Sequence, residues 1–349
     1  MSTAQPSRPA SHDVAVLIGR FQPFHFGHLA LLQQALDSAK SVVVVLGSAN
    51  QARTVKNPFT TAEREAMISL ALPAEQRARV TFAGVRDYYD NAHWFGAVRA
   101  AVKKAAPDAR SVALVGHFKD SSSFYLKCFP GWTLLESSRC TDIDATAVRK
   151  VMFETPGQPR DAVFAVLKDL LPPAVLDYLS AWWALPHAAQ LASDAAWLKT
   201  YRERWNAPFY NAADSVVVCS GHVLLIRRGK GVGRGLYAVP GGFMETGQQF
   251  YETAVRELRE ETNLGFLSDT LDSQLKATAL FDHPGRSPRG RIVSMAYLFD
   301  LGNLRLPEVS GQDDAMAAEW VPIEKLAGME AEFFEDHFHI LDHFLKLTV

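Results

Sequence analysis

The sequence has few cysteines, no apolar run long enough to cross a membrane, and almost no net charge. Its three cysteines, Cys128, Cys140 and Cys219, form no C-x-x-C pair. That pattern argues against a disulfide framework or a cysteine-based zinc site and is typical of a reducing cytoplasm. The net charge of -2, from 36 basic and 38 acidic residues, gives no reason to expect nucleic-acid binding. Because residues 1–12 lack a signal-peptide core, we also expect no membrane association.

The length of 349 residues is enough for two domains that each bury a core of their own. Pro172-Pro173 interrupts a helical region, and a helical pattern returns after it. We predict a first domain over residues 13–183, a linker over 184–207 and a second domain over 208–349. Residues 1–12 are small, polar and proline-containing, which predicts a mobile tail. The sequence leaves the oligomeric state open, a homo-oligomer included.

A turn rich in glycine and histidine follows the first predicted strand, the apolar run Val14–Ile18. It reads Gly19-Arg20-Phe21-Gln22-Pro23-Phe24-His25-Phe26-Gly27-His28, and leucines at helical spacing come after it. Gly19 and Gly27 let the backbone approach a ligand, and free N–H groups at a helix start favour an anion. His25 and His28 add donors at the same place. The stretch therefore predicts a phosphate-binding turn without a Walker lysine.

Further strands of the first domain are predicted at Val42–Leu46, Val80–Ala83, Val112–Val115 and Trp132–Glu136. Their alternation with helical segments favours a parallel sheet, which binds ligands at the carboxyl ends of its strands. The loop after the second strand carries Arg53 and Lys56, which are either ligand-binding cations or residues of a solvated loop. Thr60 and Glu63 then predict a capping box for the next helix.

Two more loops carry candidate ligand-binding residues. In the loop from Asp87 to Trp94, Asn91 offers polar contacts, and Trp94 offers either stacking on a planar heterocycle or core packing. His117 lies in the loop that follows the fourth strand, among glycine, lysine and hydroxyl residues. This composition predicts a phosphate or ribose site.

A second motif, Asp144-Ala145-Thr146-Ala147-Val148-Arg149, opens a later helix. Thr146 is a candidate N-cap for that helix. Arg149 lies one turn further on, where its planar guanidinium can bind phosphate.

Together, G-x-F-x-P-x-H-x-G-H and T-x-V-R resemble the signatures of the HxGH nucleotidyltransferase superfamily. The second signature is usually (S/T)-x-T-x-(I/V)-R, so Asp144 replaces a hydroxyl residue. The three loops most resemble the nicotinamide-mononucleotide adenylyltransferase branch in the form fused to a Nudix domain. The resemblance implies a Rossmann-like parallel-sheet domain that makes NAD and pyrophosphate from ATP and nicotinamide mononucleotide with Mg²⁺.

The resemblance also implies roles for individual residues. Catalytic roles fall to His25, His28 and Arg149, and ATP or phosphate binding falls to Gly19, Phe21, Gly27, Lys56, His117 and Thr146. Nicotinamide-nucleotide binding falls to Arg53, Asn91 and Trp94. Nicotinate mononucleotide and phosphopantetheine are the alternative acceptors.

In the second domain, strands are predicted at Ser215–Cys219 and Val223–Arg227, followed by Gly241-Gly242 and an acidic helix. On a helix, Glu257, Glu260 and Glu261 stand at i, i+3 and i+4 and share a face. Such hard oxygen ligands suit Mg²⁺ or Mn²⁺, whereas the alternative is a solvated acidic face paired with neighbouring arginines.

From Gly242 onwards the segment resembles a Nudix box, G-x5-E-x7-R-E-U-x-E-E-x-G-U, with Gln248 in place of its first Glu and Asn263 in place of its last Gly. The resemblance implies a mixed α/β/α Nudix domain that hydrolyses ADP-ribose to AMP and ribose 5-phosphate. It implies metal ligands Glu257, Glu260 and Glu261, catalytic residues Glu257, Glu261 and Asp314, and ADP-ribose-binding residues Phe281, Arg286 and Arg291. Asp313 is nearly as good a candidate as Asp314.

The substitution at Gln248 keeps a second interpretation of this domain open. A glutamine still accepts a hydrogen bond from Arg256 but supplies no charge, so we expect weakened geometry rather than abolished metal binding. The alternative is a Nudix domain that senses a ligand or hydrolyses it only weakly. In the last predicted helix, Phe333–Leu347, we expect His337, His339 and His343 to be surface residues.

Overall fold

The structure is a computed structural model that describes residues 11–88, 90–118, 121–137, 143–153, 159–205, 209–265 and 268–348. It divides into two compact units, Met1–Ser193 and Asp194–Val349. Of the predicted tail, only residues 11 and 12 lie within the described part, and His12 already belongs to the first strand. The predicted linker contains a helix that crosses the division between the units, Pro186–Trp205.

The first unit is a parallel sheet with crossover helices, as predicted. Its elements are β1 (His12–Gly19), α1 (Phe26–Ser38), β2 (Ala39–Leu46), α2 (Thr61–Leu70), α3 (Ala74–Arg77), β3 (Val80–Gly84), α4 (Asn91–Ala105), β4 (Val112–Gly116), β5 (Thr133–Glu136), α5 (Ala145–Phe153), α6 (Arg160–Leu167) and α7 (Pro173–Trp182), before α8 (Pro186–Trp205). The five strands are ordered β3-β2-β1-β4-β5 and pair in parallel. The strand order reverses between β1 and β4, so a ligand crevice is expected at their carboxyl ends.

The core of this unit explains why its strands read as continuous apolar runs. Val14, Val16, Val43 and Val45 are at most 1% exposed and pack with Leu114 of β4. Strands that are covered by helices on both faces bury every side chain, so alternation with polar residues is lost.

The second unit is built on a mixed sheet, again as predicted. Its elements are β6 (Phe209–Cys219), β7 (His222–Arg228), β8 (Tyr237–Ala238), β9 (Gly241–Phe243), α9 (Phe250–Thr262), α10 (Ser268–Gln274), β10 (Leu275–Phe281), β11 (Arg291–Asp300), β12 (Ala315–Pro322), α11 (Ile323–Leu326) and α12 (His337–Leu345). The main strand order is β10-β11-β6-β7-β12, with β8 paired to β7 and β9 to β6. Strands β6 and β11 are parallel, and the remaining pairs are antiparallel.

Alternate residues of β6 and β7 pack against helices on opposite sides of this sheet. Val216 belongs to the cluster that contains Phe338 and Leu341 of α12. Its neighbour Val217 belongs to the cluster that contains Leu258 of α9. Because successive strand residues point to opposite faces, the sheet is covered on both sides, which is an α/β/α arrangement.

The predicted C-terminal helix begins later than expected, at His337. His337 is 8% exposed, so the expectation that it is a surface residue is wrong. Its Nδ1 accepts a hydrogen bond of 3.2 Å from the backbone N–H of Val239, a partner about 100 residues away that a helical pattern does not reveal.

Candidate active sites

The glycine- and histidine-rich turn connects β1 to α1 at the switch point of the first sheet. His25 is the N-cap of α1, and its Nδ1 accepts a hydrogen bond from the N–H of His28 at 3.4 Å. The two imidazoles stack with their centroids 3.6 Å apart. Phe21 packs edge-on against His28 at 4.8 Å, and a Cβ on Gly19 would lie 2.9 Å from the Phe21 ring. The turn therefore holds both histidines at a helix N-terminus, where anions are favoured.

Arg149 of α5 docks onto this turn, so the two sequence motifs come together in the fold. Its Nη1 donates to the carbonyl oxygen of Gln22 at 2.7 Å, and its Nη2 donates to Oγ1 of Thr146 at 3.1 Å. Thr146 is not the N-cap of α5, contrary to the sequence prediction. Asp144 caps the helix instead, because its Oδ1 accepts from the N–H groups of Thr146 and Ala147 at 2.6 and 3.0 Å.

Two cations at the turn, Arg20 and Lys56, have no ion-pair partner among the described residues. Neither Lys56 nor Arg20 forms a side-chain hydrogen bond or an ion pair with any residue that the structure describes. Desolvation of its ammonium lowers the pKa of Lys56, as do the charges of Arg20 and Arg149, whereas Asp87 raises it. Like charges that are held close together without partners favour binding of an anion. The sequence reasoning missed Arg20, although it lies inside the signature turn.

In the second unit, the paired glycines make room for carboxylates. A Cβ on Gly242 would lie 2.2 Å from Oε1 of Glu257, and one on Gly241 would lie 2.3 Å from Oδ1 of Asp214. The N–H of Gly241 donates to Oε2 of Glu261 at 2.9 Å. At Gly241 the backbone carbonyl of Ala213 would also lie 2.6 Å from a Cβ, so only glycine fits there, whereas a side chain at Gly242 would displace the Glu257 carboxylate.

Burial sets the electrostatics of Glu257 and Glu261, which together form the acidic pair of this unit. Glu261 is 4% exposed, and burial raises its pKa to about 8, with Glu257 and Asp214 adding to the rise and the N–H of Gly241 and Arg228 opposing it. Burial also raises the pKa of Glu257, against the lowering effect of Arg256. A buried and a partly buried carboxylate, each with its negative charge disfavoured, favour binding of a cation.

Arg256 organises the outer side of the acidic helix α9. It pairs with Glu257 at 2.8 Å and with Glu260 at 2.7 Å. Its Nε donates to Oε1 of Gln248 at 3.3 Å, so the glutamine accepts the hydrogen bond expected of it. Glu260 is 47% exposed, against 12% for Glu257, so the three glutamates do not share one environment. Within the described ranges, no group of three His, Cys, Asp or Glu residues is already arranged to hold a metal ion.

Comparison with known proteins identifies both units. The cytidylyltransferase-like family model matches residues 16–151, and the NUDIX domain model matches residues 209–344. A nicotinamide/nicotinic acid mononucleotide adenylyltransferase from Acinetobacter baylyi is 43% identical over 143 residues, which are 41% of this chain and 76% of that protein. The chain belongs to the nicotinamide-mononucleotide adenylyltransferase family.

Two further relatives cover the Nudix unit of this adenylyltransferase. An ADP-ribose pyrophosphatase from Methanocaldococcus jannaschii is 29% identical over 136 residues, which are 39% of this chain and 72% of that protein. A bifunctional NMN adenylyltransferase/ADP ribose pyrophosphatase from Francisella tularensis matches with a TM-score of 0.87 and 29% identity, over 96% of this chain and 99% of that one. A second structure with the same name contains AMP and a manganese ion. The predicted fusion of an adenylyltransferase with a Nudix domain is thereby confirmed.

The family assignment leaves the individual predicted residues to be located. Arg53 forms a two-pronged ion pair with Glu63 and also donates to the carbonyl oxygen of Pro58 at 2.7 Å. Asn91 is exposed at the start of α4. Trp94 is half-buried and packs edge-on against Tyr125, with 5.7 Å between the rings. Arg53 and Trp94 thus make internal contacts, and core packing was the alternative for Trp94 at the sequence level.

His117 directly follows β4, at the same edge of the sheet as the turn after β1. It is half-buried. Lys119 and Asp120, which belong to the same predicted loop, lie outside the described residues.

The cations predicted to bind ADP-ribose are largely engaged inside the Nudix unit. Arg286 is 7% exposed and donates to both carboxylate oxygens of Asp336, at 2.8 and 2.9 Å. Arg291 donates to the carbonyl oxygen of Asp282. Phe281 is 8% exposed and belongs to the core cluster that includes α12. The sequence could not reveal Asp336, which lies 50 positions from its partner.

Arg228 is a cation that sequence reasoning missed. Its guanidinium lies 3.9 Å from the ring centroid of Phe334, and its Nε donates to the carbonyl oxygen of Val232. It forms no ion pair with any residue of the described part, and burial and the charge of Arg289 lower its pKa. Because its charge also lowers the pKa of Glu261, it lies within electrostatic reach of the acidic pair.

The two candidate late acids are placed differently. Asp314 forms an ion pair of 2.7 Å with Lys230. The charge of Asp313 raises the pKa of Glu257, so Asp313 lies within electrostatic reach of the acidic pair. No helix in the described part of the chain is long and apolar enough to cross a membrane.

Proposed function

We propose that the first unit transfers the adenylyl group of ATP to the 5′-phosphate of nicotinamide mononucleotide, giving NAD and pyrophosphate. The observation that carries this proposal is the stacked pair His25 and His28 at the N-terminus of α1, near Arg20 and Lys56, which form no ion pair within the described part of the chain. Such a site suits a polyphosphate that gains charge at its leaving group. The acceptor phosphate is already ionised, so the reaction needs no strong base.

Each group then has a definite task. His28 donates to the oxygens of the α-phosphate, and His25 binds the adjoining phosphates at the N-terminus of α1. Arg20 and Lys56 hold the departing pyrophosphate, while Arg149 keeps the turn after β1 in place through the carbonyl of Gln22. Catalysis here is alignment of acceptor and α-phosphorus plus charge stabilisation. When bound, Mg²⁺ would neutralise part of the triphosphate charge.

The acceptor is tested by competition. We expect NAD to form from nicotinamide mononucleotide and ATP. Nicotinate mononucleotide is the second candidate, because the Acinetobacter relative is named for both. Equal amounts of the two mononucleotides and of phosphopantetheine, offered together with limiting ATP, would rank the three acceptors. A preference for phosphopantetheine would refute the pyridine-nucleotide assignment.

For the second unit we propose hydrolysis of the pyrophosphate bond of ADP-ribose to AMP and ribose 5-phosphate. The observation that carries it is the pair Glu257 and Glu261 in the space left by the paired glycines, within electrostatic reach of Arg228. Two hard carboxylates held next to each other fit Mg²⁺ or Mn²⁺. A bound metal would activate water and neutralise the pyrophosphate.

The residues of this chain would supply the remaining functions. Glu257 and Glu261 would hold the metal. Glu260 would become a further metal ligand once its carboxylate separates from Arg256. Arg228 would bind a phosphate of the substrate, fixed in direction by the ring of Phe334. Asp313 would act near the acidic pair, and Asp314 is the alternative.

A ligand-sensing Nudix unit is the second candidate function, because Gln248 gives Arg256 a hydrogen bond without a charge. The test is release of AMP from ADP-ribose in Mg²⁺ and in Mn²⁺, with binding measured on the same preparation. Turnover that Glu261→Gln abolishes would support the hydrolase. Tight binding without turnover in either metal would support the sensor. We further propose that the chain acts in the cytoplasm on these soluble nucleotides.

A further inference from the structure

Arg64 of α2 is a buried arginine that has no acidic hydrogen-bond partner among the residues that the structure describes. It is 1% exposed, and it is among the largest fully buried side chains in the described part of the chain. Its Nη1 donates to the carbonyl oxygens of Arg20 and Gly47, at 2.9 and 2.6 Å. Its Nη2 donates to the carbonyl of Ser48 at 3.3 Å and to Oγ1 of Thr61 at 3.2 Å. A buried charge is costly, so this arrangement persists only because carbonyl dipoles surround it.

The carbonyls that Arg64 binds belong to the ends of two adjacent strands. Arg20 follows β1, and Gly47 and Ser48 follow β2. Both ends contribute to the candidate adenylyl-transfer site. The side chain of Arg20 is one of its two cations that pair with no acid in the described ranges, and Ser48 fixes Asp87 through its N–H and hydroxyl, at 3.2 and 2.7 Å. One planar guanidinium therefore sets the spacing between the two loops.

The preceding residue, Glu63, fixes the later part of the loop after β2. Its carboxylate accepts from the guanidinium of Arg53, from the N–H of Thr60 at 2.8 Å and from Nε1 of Trp182 at 3.0 Å. Arg53 in turn holds the loop that carries Lys56. Thr60 and Glu63 also form the predicted capping box. The capping box fixes the first turn of α2, which carries the side chains of both Glu63 and Arg64.

We propose that Arg64 is a positioning residue for adenylyl transfer, which holds the chain after β1 and after β2 at the spacing that directs Arg20 toward the phosphates of ATP. It also places a fixed positive charge beneath the anion site. Arg64 itself touches no substrate, because it is covered by the loops that it binds. This inference rests on the proposed function of the first unit.

Two variants separate the geometry from the charge. Arg64→Lys keeps the charge but lacks the planar fork that reaches several carbonyls at once. Thr61→Val removes only the hydroxyl that accepts from Nη2, and it tests the inference even if the lysine variant fails to fold. Arg79→Lys is the matched control. Arg79 also donates to three backbone carbonyls, those of Leu36, Ala39 and Lys40, but at the opposite end of β2.

The experiment measures Kd for ATP by calorimetry, KM and kcat for NAD formation, and Tm, for all four proteins. We expect Arg64→Lys to raise the Kd and KM for ATP by about tenfold or more, since displacement of a binding group by about 1 Å can cost that much. Thr61→Val should raise them by about threefold, the worth of one hydrogen bond. Arg79→Lys should lower Tm and leave Kd, KM and kcat at wild-type values.

The outcomes are distinguishable. If Arg64→Lys and Thr61→Val bind and turn over ATP as wild type does, at whatever Tm, Arg64 is only structural and the inference is overturned. Parallel losses in Arg79→Lys would overturn it too. If wild type binds ATP but forms no NAD, the proposed reaction fails. The positioning of the ATP site is then still decided by the Kd values alone.

Discussion

Removal of the Glu261 charge should stabilise the metal-free Nudix unit at alkaline pH. Glu261 has a folded-state pKa of about 8, raised mainly by burial from an ordinary value of 4.5. Between these two values the unfolded chain has released a proton that the folded chain retains. Stability conferred on the folded state by the protonated acid is therefore complete below pH 4.5, falls as the pH rises and is lost by about pH 8.

The size of this effect follows from the two pKa values. A difference of about 3.5 is worth about 5 kcal/mol, which is the upper limit of what Glu261→Gln recovers at pH 8 and above. The amide oxygen of glutamine can still accept from the N–H of Gly241, so that hydrogen bond is kept. For a unit of this size, about 5 kcal/mol corresponds to a rise in Tm of about 10 °C or more.

The assay is thermal unfolding in EDTA from pH 5 to 9, with wild type, Glu261→Gln and Glu260→Gln. The Tm difference between Glu261→Gln and wild type should grow up to about pH 8 and then level off. Glu260 lies on the same helix but is 47% exposed, so its variant should stay close to wild type throughout. Added Mg²⁺ or Mn²⁺ at pH 8 should stabilise wild type and not Glu261→Gln. Parallel Tm profiles for the three proteins would show that the charge of Glu261 does not destabilise the folded Nudix unit at alkaline pH.

Three further substitutions test the Nudix site. Gly242→Ala should abolish ADP-ribose hydrolysis and leave NAD formation unchanged, because its Cβ would lie 2.2 Å from a Glu257 oxygen; both activities are assayed on one preparation. Arg228→Ala should raise the KM for ADP-ribose by about tenfold or more, as expected for loss of a phosphate-binding cation, in steady-state AMP release. Gln248→Glu should raise hydrolysis by a few-fold, about the worth of a charge-assisted bond to Arg256, in the same assay.

Controls for these substitutions come from the same unit. Gly265→Ala meets no atom within 4 Å of its new Cβ, so it should leave hydrolysis intact. If it is as damaging as Gly242→Ala, the steric argument fails. Arg291→Lys should change KM less than Arg228→Ala, since Arg291 is engaged with Asp282. The opposite ranking would indicate that ADP-ribose binds at Arg291, as first predicted from the sequence, and not at Arg228.

The sequence predicted those features that depend on local pattern. Apolar runs gave the central strands β1, β2 and β4, because strands buried on both faces need mostly apolar residues. The edge strands β3 and β5 were also predicted, although both are only partly buried. The two nucleotidyltransferase motifs are brought together by the contact of Arg149 with Gln22, a pairing expected from the family resemblance. The turn after β1 was predictable because its glycines, proline and histidines lie close together in the sequence and form a recognisable pattern.

Features that depend on distant partners were not predictable. Arg286 reads as a free cation until Asp336 is placed beside it, and Arg53 reads as a ligand-binding residue until α2 brings Glu63 within reach. Arg228 was overlooked for the converse reason. An arginine at a strand end looks solvated, and only the fold reveals that it is stacked on Phe334 and pairs with no acid in the described part of the chain.

In the proposed reaction, the paired histidines His25 and His28 support adenylyl transfer to nicotinamide mononucleotide. The most direct measurement is NAD formation from nicotinamide mononucleotide, ATP and Mg²⁺ by wild type and by His28→Ala, with ADP-ribose hydrolysis by the same preparations as the check on folding. We predict NAD from wild type and a rate lower by about three orders of magnitude in the variant, with hydrolysis unchanged. If wild type binds ATP but forms no NAD, the proposed reaction is wrong. If the variant forms NAD at an undiminished rate, the proposed role of His28 is wrong.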